Sequence, residues 1–387
     1  MLLIKNGNIH TMAGEVIEGG SVLMEGGKIK AVGKEVVAPL DAEIIDVEGR
    51  MVLPGFIDAH CHVGLFESAI GFEGDDGNEA TDPVTPQIRG IDGINPMDET
   101  LREAYEGGVT TAATGPGSAN VIGGQFALIK TYGNRVDNMV LDDSIAMKIA
   151  FGENPKRVYN NLKKSPMTRM ATASILRETL FKAKAYVEKQ NRAEGDLSKM
   201  PDFDMKMEAM ARVIRKEIPL KAHAHRADDI FTALRIAKEF DVDITLDHCT
   251  EGHLIADELV KDGKPAIIGP TFGDKSKFEL KNKSFDTPKV LHEAGVKFAI
   301  MTDAPVIPLD KLVLCAAWAA NAGLDEEEAF KSITINPAEI LGVDNRLGSI
   351  ENGKDADIVV FNGHPLRDIR AKVNMTIIDG KVVYRES

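Results

Sequence analysis

The sequence predicts an α/β protein, a (β/α)8 TIM barrel with a small β-sandwich domain formed from both termini. Two observations carry that expectation. Eight short apolar runs alternate with helix-period segments through the middle of the chain, which is the pattern of a sheet built by helical crossovers. The two ends instead read as short strands joined by turns, with no helical period between them.

In chain order, Leu2-Leu3-Ile4-Lys5 opens the first strand, and Ser21-Val22-Leu23-Met24 turns at Gly26-Gly27 into Lys28-Ile29-Lys30-Ala31-Val32. Glu43-Ile44-Ile45-Asp46-Val47 follows in the same style. The barrel strands are expected at 52–59, 109–114, 125–131, 144–150, 219–224, 242–247, 265–269 and 296–302. The third has a short, Gly-rich connection before it. Helical period is clearest at 168–190, 203–216, 228–239, 285–294 and 308–321. An acidic, Gly/Pro-rich loop from Val63 to Pro96 reads as a lid, and a second excursion at 191–201 separates two helices. The C-terminus returns to strands at 356–361, 375–378 and, after Asp379-Gly380, 381–384. The expected division is therefore 1–52 with 345–387 for the small domain, and 53–344 for the barrel.

At 387 residues and 43% hydrophobic content the chain can bury a large core. Its 46 basic and 60 acidic residues leave a net charge of -14, which opposes a general role on nucleic acid or on an anionic membrane. A small-molecule or metal site is the expectation, with no nucleic-acid or membrane partner. Residues 1–7 turn polar before a signal-peptide core could form, and no window reaches transmembrane length, so a cytoplasmic location is expected. Cys61, Cys249 and Cys315 are too few and odd in number for a disulfide framework.

Functional groups of a barrel lie at the C-terminal ends of its strands. There this sequence places His60 and His62, then Lys148 within the fourth strand, His223 and His225, Asp247-His248, and Thr302-Asp303. His60 and His62 are two residues apart on an extended strand and share a face, as the teeth of a metal clamp do, while Cys61 points away. Imidazole and carboxylate groups from several strands suit zinc or another first-row divalent ion with a position left open for water. A lysine inside an apolar strand needs its charge compensated or removed: either Lys148 pairs with Glu153 or Asp143, or its neutral amine reacts with carbon dioxide to a carbamate that can hold two cations. Asn120 and Gln125, in the Gly-rich stretch 115–125, and His253, in the loop after the sixth strand, are candidate substrate contacts. Cys61 and Cys249 read as buried structural thiols, and His10, His292 and His364 as ordinary polar residues.

These strand-end residues resemble the amidohydrolase superfamily. The resemblance extends to the entry Leu53-Pro54-Gly55-Phe56-Ile57-Asp58-Ala59-His60-Cys61-His62 and to Gly348-Ser349-Ile350-Glu351-Asn352-Gly353-Lys354-Asp355-Ala356-Asp357, the return into the small domain. Within the superfamily the chain looks most like the imidazolonepropionase-related branch, which also contains dipeptidases. The resemblance implies His60, His62, His223, His248 and Asp303 as ligands of one or two zinc ions, with manganese(II) or iron(II) as alternatives. It places Lys148 where two-metal members carry a carboxylated lysine bridging both ions.

His225 shares a strand face with His223 and is either a substrate contact or a second candidate for the same ligand role. Three residues after the ligand, deaminases and imidazolonepropionase usually carry a proton-shuttling glutamate. This chain has Arg226 there, which either faces a substrate carboxylate or is a solvent-facing helix start. The implied activity is hydrolysis of an amide or peptide C–N bond, in an N-acyl amino acid, a dipeptide or a related small amide. Asp303 is the catalytic residue and a metal-activated hydroxide the attacking group. A cyclic-amide or imidazolone-type hydrolase, or a deaminase on the same scaffold, is the alternative. A homo-oligomer is expected only by analogy with the family.

Overall fold

The computed structural model describes residues 1–68 and 71–386. Ala69 and Ile70 of the expected lid, and Ser387, lie outside the described residues. The hairpin pattern of the N-terminus is realised as β1 (Leu2–Ile9), β2 (Ile17–Glu25), β3 (Lys28–Gly33) and β4 (Glu43–Asp46). The apolar run expected as one strand at 52–59 is two, β5 (Met51–Pro54) and β6 (Phe56–Cys61). They belong to different sheets. Gly55 N donates to Asp357 O in the terminal sheet, and Phe56 N donates to Gly108 O in the barrel, so the chain changes sheets at the glycine. A Cβ at Gly55 would lie 2.2–2.8 Å from the Thr110 side chain, which is why only glycine fits this crossing.

The barrel continues through β7 (Val109–Thr114), β8 (Ile122–Lys130), β9 (Val140–Ala150), β10 (Leu220–Ala224), β11 (Ile244–His248), β12 (Ala266–Ile268) and β13 (Phe298–Ile300). The chain then returns to the terminal sheet as β14 (Ile358–Phe361), β15 (Val373–Ile378) and β16 (Lys381–Arg385). That sheet runs β16-β15-β14-β5-β1-β2-β3 with β4 beside β1, and encloses a core of Ile4, Val22, Ile29, Val52, Val360 and Ile377. Around the barrel lie α1 (Glu99–Glu106), α2 (Glu153–Asn161), α3 (Arg169–Ala193), α4 (Met205–Ile214), α5 (Ala227–Phe240), α6 (Ala256–Asp262), α7 (Thr287–Ala294), α8 (Leu312–Asn321), α9 (Glu326–Lys331) and α10 (Ile335–Ile340). Among the described residues no helix is long and apolar enough to cross a membrane.

The α/β barrel with a second β unit holds, and one strand departs from the expected parallel order. β8 is antiparallel to both β7 and β9. The connection from Thr114 to Ile122 is shorter than the dozen or so residues a parallel crossover needs, and no helix forms in it. Because β8 runs backwards, its first residues stand at the barrel mouth, with Ile122 opposite Ile149. The backbone there needs partners, and the 63–96 loop supplies them. Ile122 N donates to Pro83 O (3.0 Å), Thr85 N to Ile122 O (2.9 Å) and Gln125 N to Ile88 O (2.8 Å). Over 83–88 the expected lid is thus a fixed wall stitched to β8.

β6 and β13 are the sheet's two ends, and no ladder pairs them. They are joined through intermediaries instead. Ile57 N donates to Ile333 O and Ile300 N to Ser332 O, so residues 332–333 fill the gap on one side. Higher up, the buried Asp58 carboxylate accepts from Thr302 N (2.9 Å), Thr302 Oγ1 (2.6 Å) and His60 N (2.9 Å). One side chain therefore closes the barrel and fixes both His60 and the residue before Asp303. Burial pushes the Asp58 carboxyl up to about 6.

Barrel and terminal sheet are latched by a buried cation. Lys130 Nζ lies 2.5 Å from Asp357 Oδ2, 3.2 Å from Asp355 Oδ2 and 3.3 Å from Asp379 Oδ1. Asp355 also pairs with Lys28 and Arg346, whereas Lys130 is the one cation beside Asp357 among the described residues, the other Asp357 oxygen accepting from Asp379 N (3.0 Å). Lys130→Met should therefore strand the Asp357 carboxylate in a buried place, lowering stability by about 3–5 kcal/mol. Urea unfolding followed by circular dichroism would measure it; a loss under about 1 kcal/mol would mean that solvent reaches the carboxylate.

Candidate active site

Strand alternation and three backbone kinks bring the candidate side chains to one end of the barrel. His60 and His62 leave β6 on the same face, with Asp303 Oδ1 3.6 Å from His60 Nε2 and 3.3 Å from His62 Nε2. Lys221, His223 and His225 alternate inward from β10 in the same way. His248 (φ 72), Cys249 (φ 45) and Asp303 (φ 55) adopt left-handed backbone that bulky residues avoid, and the turn swings the His248 and Asp303 side chains into the mouth.

The described residues form two groups able to hold a metal ion, His60/His62/Asp303 and His223/His225/His248. In each, the candidate ligand atoms all lie within 4.8 Å of one another. The groups adjoin, since the His60 and His248 ring centroids are 5.3 Å apart. The hydrogen bonds set the tautomers. His62 Nδ1 donates to Gly115 O (2.7 Å), His248 Nδ1 donates to Gly269 O (2.8 Å), and His60 Nδ1 donates to the Asp247 carboxylate. Each of these rings therefore turns the lone pair of its Nε2 inward. Burial is the first cause holding His60, His223 and His248 well below the ordinary imidazole range, with neighbouring lysines and histidines adding to it. Burial also pushes His225 down to about 3. Neutral imidazoles are what metal binding requires. The Nε2 atoms of His225 and His248 are buried and have no hydrogen-bond partner, a costly arrangement unless a cation fills the space they face. The residues present fit a divalent ion.

Lys148 is fully buried on β9, and its Nζ is 2.9 Å from His60 Nε2. The two carboxylates expected from the sequence as its partners are engaged elsewhere: Asp143 pairs with Arg89, and Glu153 accepts from Glu279 N (2.8 Å). The amine is pushed down to about 8, chiefly by burial, with Asp247 and Asp303 acting in the opposite direction.

The remaining sequence candidates have different surroundings. His225 is a third imidazole of the second group, with Nδ1 2.7 Å from Thr250 Oγ1. Arg226 stands at the N-cap of α5, holds Asp228 through two 2.9 Å bonds and lies over the Phe278 ring. Asn120 Nδ2 donates to Glu79 O and Thr85 Oγ1, while its Oδ1 accepts from Tyr159 (2.6 Å), so its amide ties the mouth loops together. Gln125 Nε2 donates to Pro86 O (3.0 Å) in the same wall. His253 Nδ1 is 2.9 Å from Thr287 Oγ1, outside both groups. Cys61 and Cys249 are buried, with Cys61 Sγ turned to Ala113 O.

Four side chains at the site were not assigned from sequence. Asp58, which joins the two ends of the sheet, is one. Asp247 is shared by His60 Nδ1, Thr245 Oγ1 (2.8 Å) and Lys221 Nζ (3.0 Å), so a buried ion pair orients a candidate ligand. The signal for Lys221 was available, since it alternates with His223 on one strand face. Glu279 had none. It comes from the loop after β12, is 1% exposed, and places Oε1 3.6 Å from His225 Nε2 and 3.9 Å from His223 Nε2.

Known proteins are similar to this chain in sequence and fold. The family model described as Amidohydrolase family matches residues 51–383. The chain is 34% identical over 376 residues to amidohydrolase tasK of Hapsidospora irregularis, a match covering 90% of this chain and 38% of that protein. It is 24% identical over 438 residues to an imidazolonepropionase of Symbiobacterium thermophilum, covering 100% of this chain and 96% of that one. Among solved structures, an amidohydrolase from Thermotoga maritima MSB8 is 44% identical and superposes with a TM-score of 0.96, each chain covered in full. By that match along most of its length, the chain belongs to the amidohydrolase family, hydrolases acting on carbon–nitrogen bonds.

Proposed function

We propose that this protein is a metal-dependent hydrolase of an amide or peptide C–N bond in a small substrate such as an N-acyl amino acid or dipeptide. The observation that carries the reading is the convergence of two metal-capable groups, His60/His62/Asp303 and His223/His225/His248, at one barrel mouth. His60, His62, His223, His248 and Asp303 would hold zinc, and Lys148, if carboxylated, would add an anionic ligand to them. Its full burial, with no ion pair to a carboxylate among the described residues, supports that role. Divalent ions bound there would supply an acidified water and polarisation of the scissile carbonyl.

The chain's own groups manage the protons and the alignment. Asp303 accepts the proton of the attacking water and returns it to the leaving nitrogen, and its side chain is still 14% exposed, so substrate can reach it. Asp247, held by Lys221, keeps His60 in the tautomer that presents Nε2 to the site. Asp58 keeps the His60 and Thr302 backbones in register, so the two sides of the site cannot drift apart. Arg226 occupies the position of the usual deaminase glutamate and is paired to Asp228, which favours amide hydrolysis over deamination.

A panel of N-acyl amino acids, dipeptides, cyclic amides and aminopurines, offered to zinc-loaded protein, tests the substrate. Release of a free amine from the acyclic amides is expected. Ammonia release from the aminopurines, with the amides untouched, would replace this reading by the deaminase one. Ring opening of the cyclic amides alone would favour the imidazolone-type alternative, the activity named for the Symbiobacterium relative.

A further inference from the structure

Glu279 lies in the short turn Phe278–Leu280 that follows β12, and the sequence around it, Lys277-Phe278-Glu279-Leu280, carries no ligand signature. The fold nevertheless builds a place for its carboxylate. Glu279 Oε2 accepts from Glu153 N (3.0 Å), and the Glu153 carboxylate accepts from Glu279 N (2.8 Å), so two mouth loops clasp each other. A Cβ on Gly152 would stand 2.5 Å from Glu279 Oε2, so that residue has no side chain where the carboxylate enters. Lys277 Nζ, 3.3 Å from Oε1, supplies a cation on the solvent side.

On the inner side Oε1 faces imidazole nitrogens at 3.6 Å (His225 Nε2) and 3.9 Å (His223 Nε2), too far for hydrogen bonds. His225 Nε2 and the neighbouring His248 Nε2 are among the buried side-chain atoms that have no hydrogen-bond partner. Separations of this size fit ligands on a common ion: bonds of about 2.0–2.1 Å in a tetrahedral zinc site put ligand atoms roughly 3.4 Å apart. We propose that Glu279 and His225 are further ligands of the ion held by His223 and His248, so that this half of the site has three imidazoles and a carboxylate. The inference rests on the metal-centre reading above and adds to it two ligands, one of them from the seventh-strand loop.

The consequence is a metal position whose affinity depends on Glu279 and whose other half does not. Cobalt(II) titration of the full-length metal-free chain, followed by visible absorption and chelator competition, should reveal two binding phases. In Glu279→Gln, which keeps the side-chain shape, one phase should weaken by at least about 100-fold while the other is unchanged. Wild-type affinity and an unaltered cobalt spectrum in the variant would overturn the proposal. Anomalous diffraction at the cobalt edge on the wild-type protein decides the same point without a variant. A cobalt ion within about 2.3 Å of a Glu279 oxygen supports the assignment, and one more than about 3 Å away defeats it. An ion at His60/His62/Asp303 alone would remove Glu279 and leave the hydrolase reading intact, whereas no bound ion at either group would remove both.

Discussion

Asp303→Asn is expected to lower kcat by roughly three orders of magnitude or more, because general acid–base catalysis alone contributes about 10²–10⁴-fold and the same carboxylate is also a candidate ligand. Asparagine keeps the shape of the side chain but cannot take a proton from water at neutral pH. The loss should fall on kcat more than on KM, since the amide that replaces the carboxylate still occupies the same space beside His60 and His62. The backbone should tolerate the change. Residue 303 has φ 55, a conformation asparagine adopts as readily as aspartate. Circular dichroism should therefore match wild type while hydrolysis of the best amide substrate disappears. A variant retaining more than about a tenth of wild-type kcat would show that another group carries the proton.

Lys148→Ala should have an effect of similar size through a different route. If Lys148 is the carboxylated bridge, its removal takes an anion from between two cations, and bound zinc should fall from about two ions per chain to about one or fewer. Elemental analysis after growth with ample zinc measures this directly, and intact-mass or crystallographic detection of the added carboxyl group checks the modification itself. About one ion per chain in the wild type, unchanged in the variant, would make Lys148 a buried amine beside His60 and the centre a one-ion site. The variant also deletes a large buried side chain, so Lys148→Met, which keeps most of the volume, separates loss of the bridge from loss of packing.

Much of the site was legible because strand alternation is a local rule. His60 and His62, or His223 and His225, must share a face once they lie on strands, whatever the rest of the chain does. The barrel mouth was legible for the same reason, as the end of each apolar run marks where a strand meets the loops. Direction was less so. The reversal of β8 depends on how the Gly-rich stretch after Thr114 turns, and alternation reads the same in both directions. Asn120 and Gln125 have the chemistry of substrate contacts, but hydrogen bonding is decided by whatever packs nearby, and here that is the 79–86 wall and Tyr159.

By itself, the sequence determined the α/β barrel with its terminal sheet, the strand ends that carry imidazoles and carboxylates, and the buried lysine on β9. Each follows from short-range period and burial. Only the tertiary structure decided that Asp143 and Glu153 are engaged away from Lys148, that Asp58 joins the ends of the sheet, and that Glu279 faces the β10 histidines. These are contacts between residues far apart in the chain, and no local pattern specifies them. Their physical cause is the curling of eight strands into a nearly closed ring, which places loops remote in sequence around a single mouth, where their buried polar atoms meet.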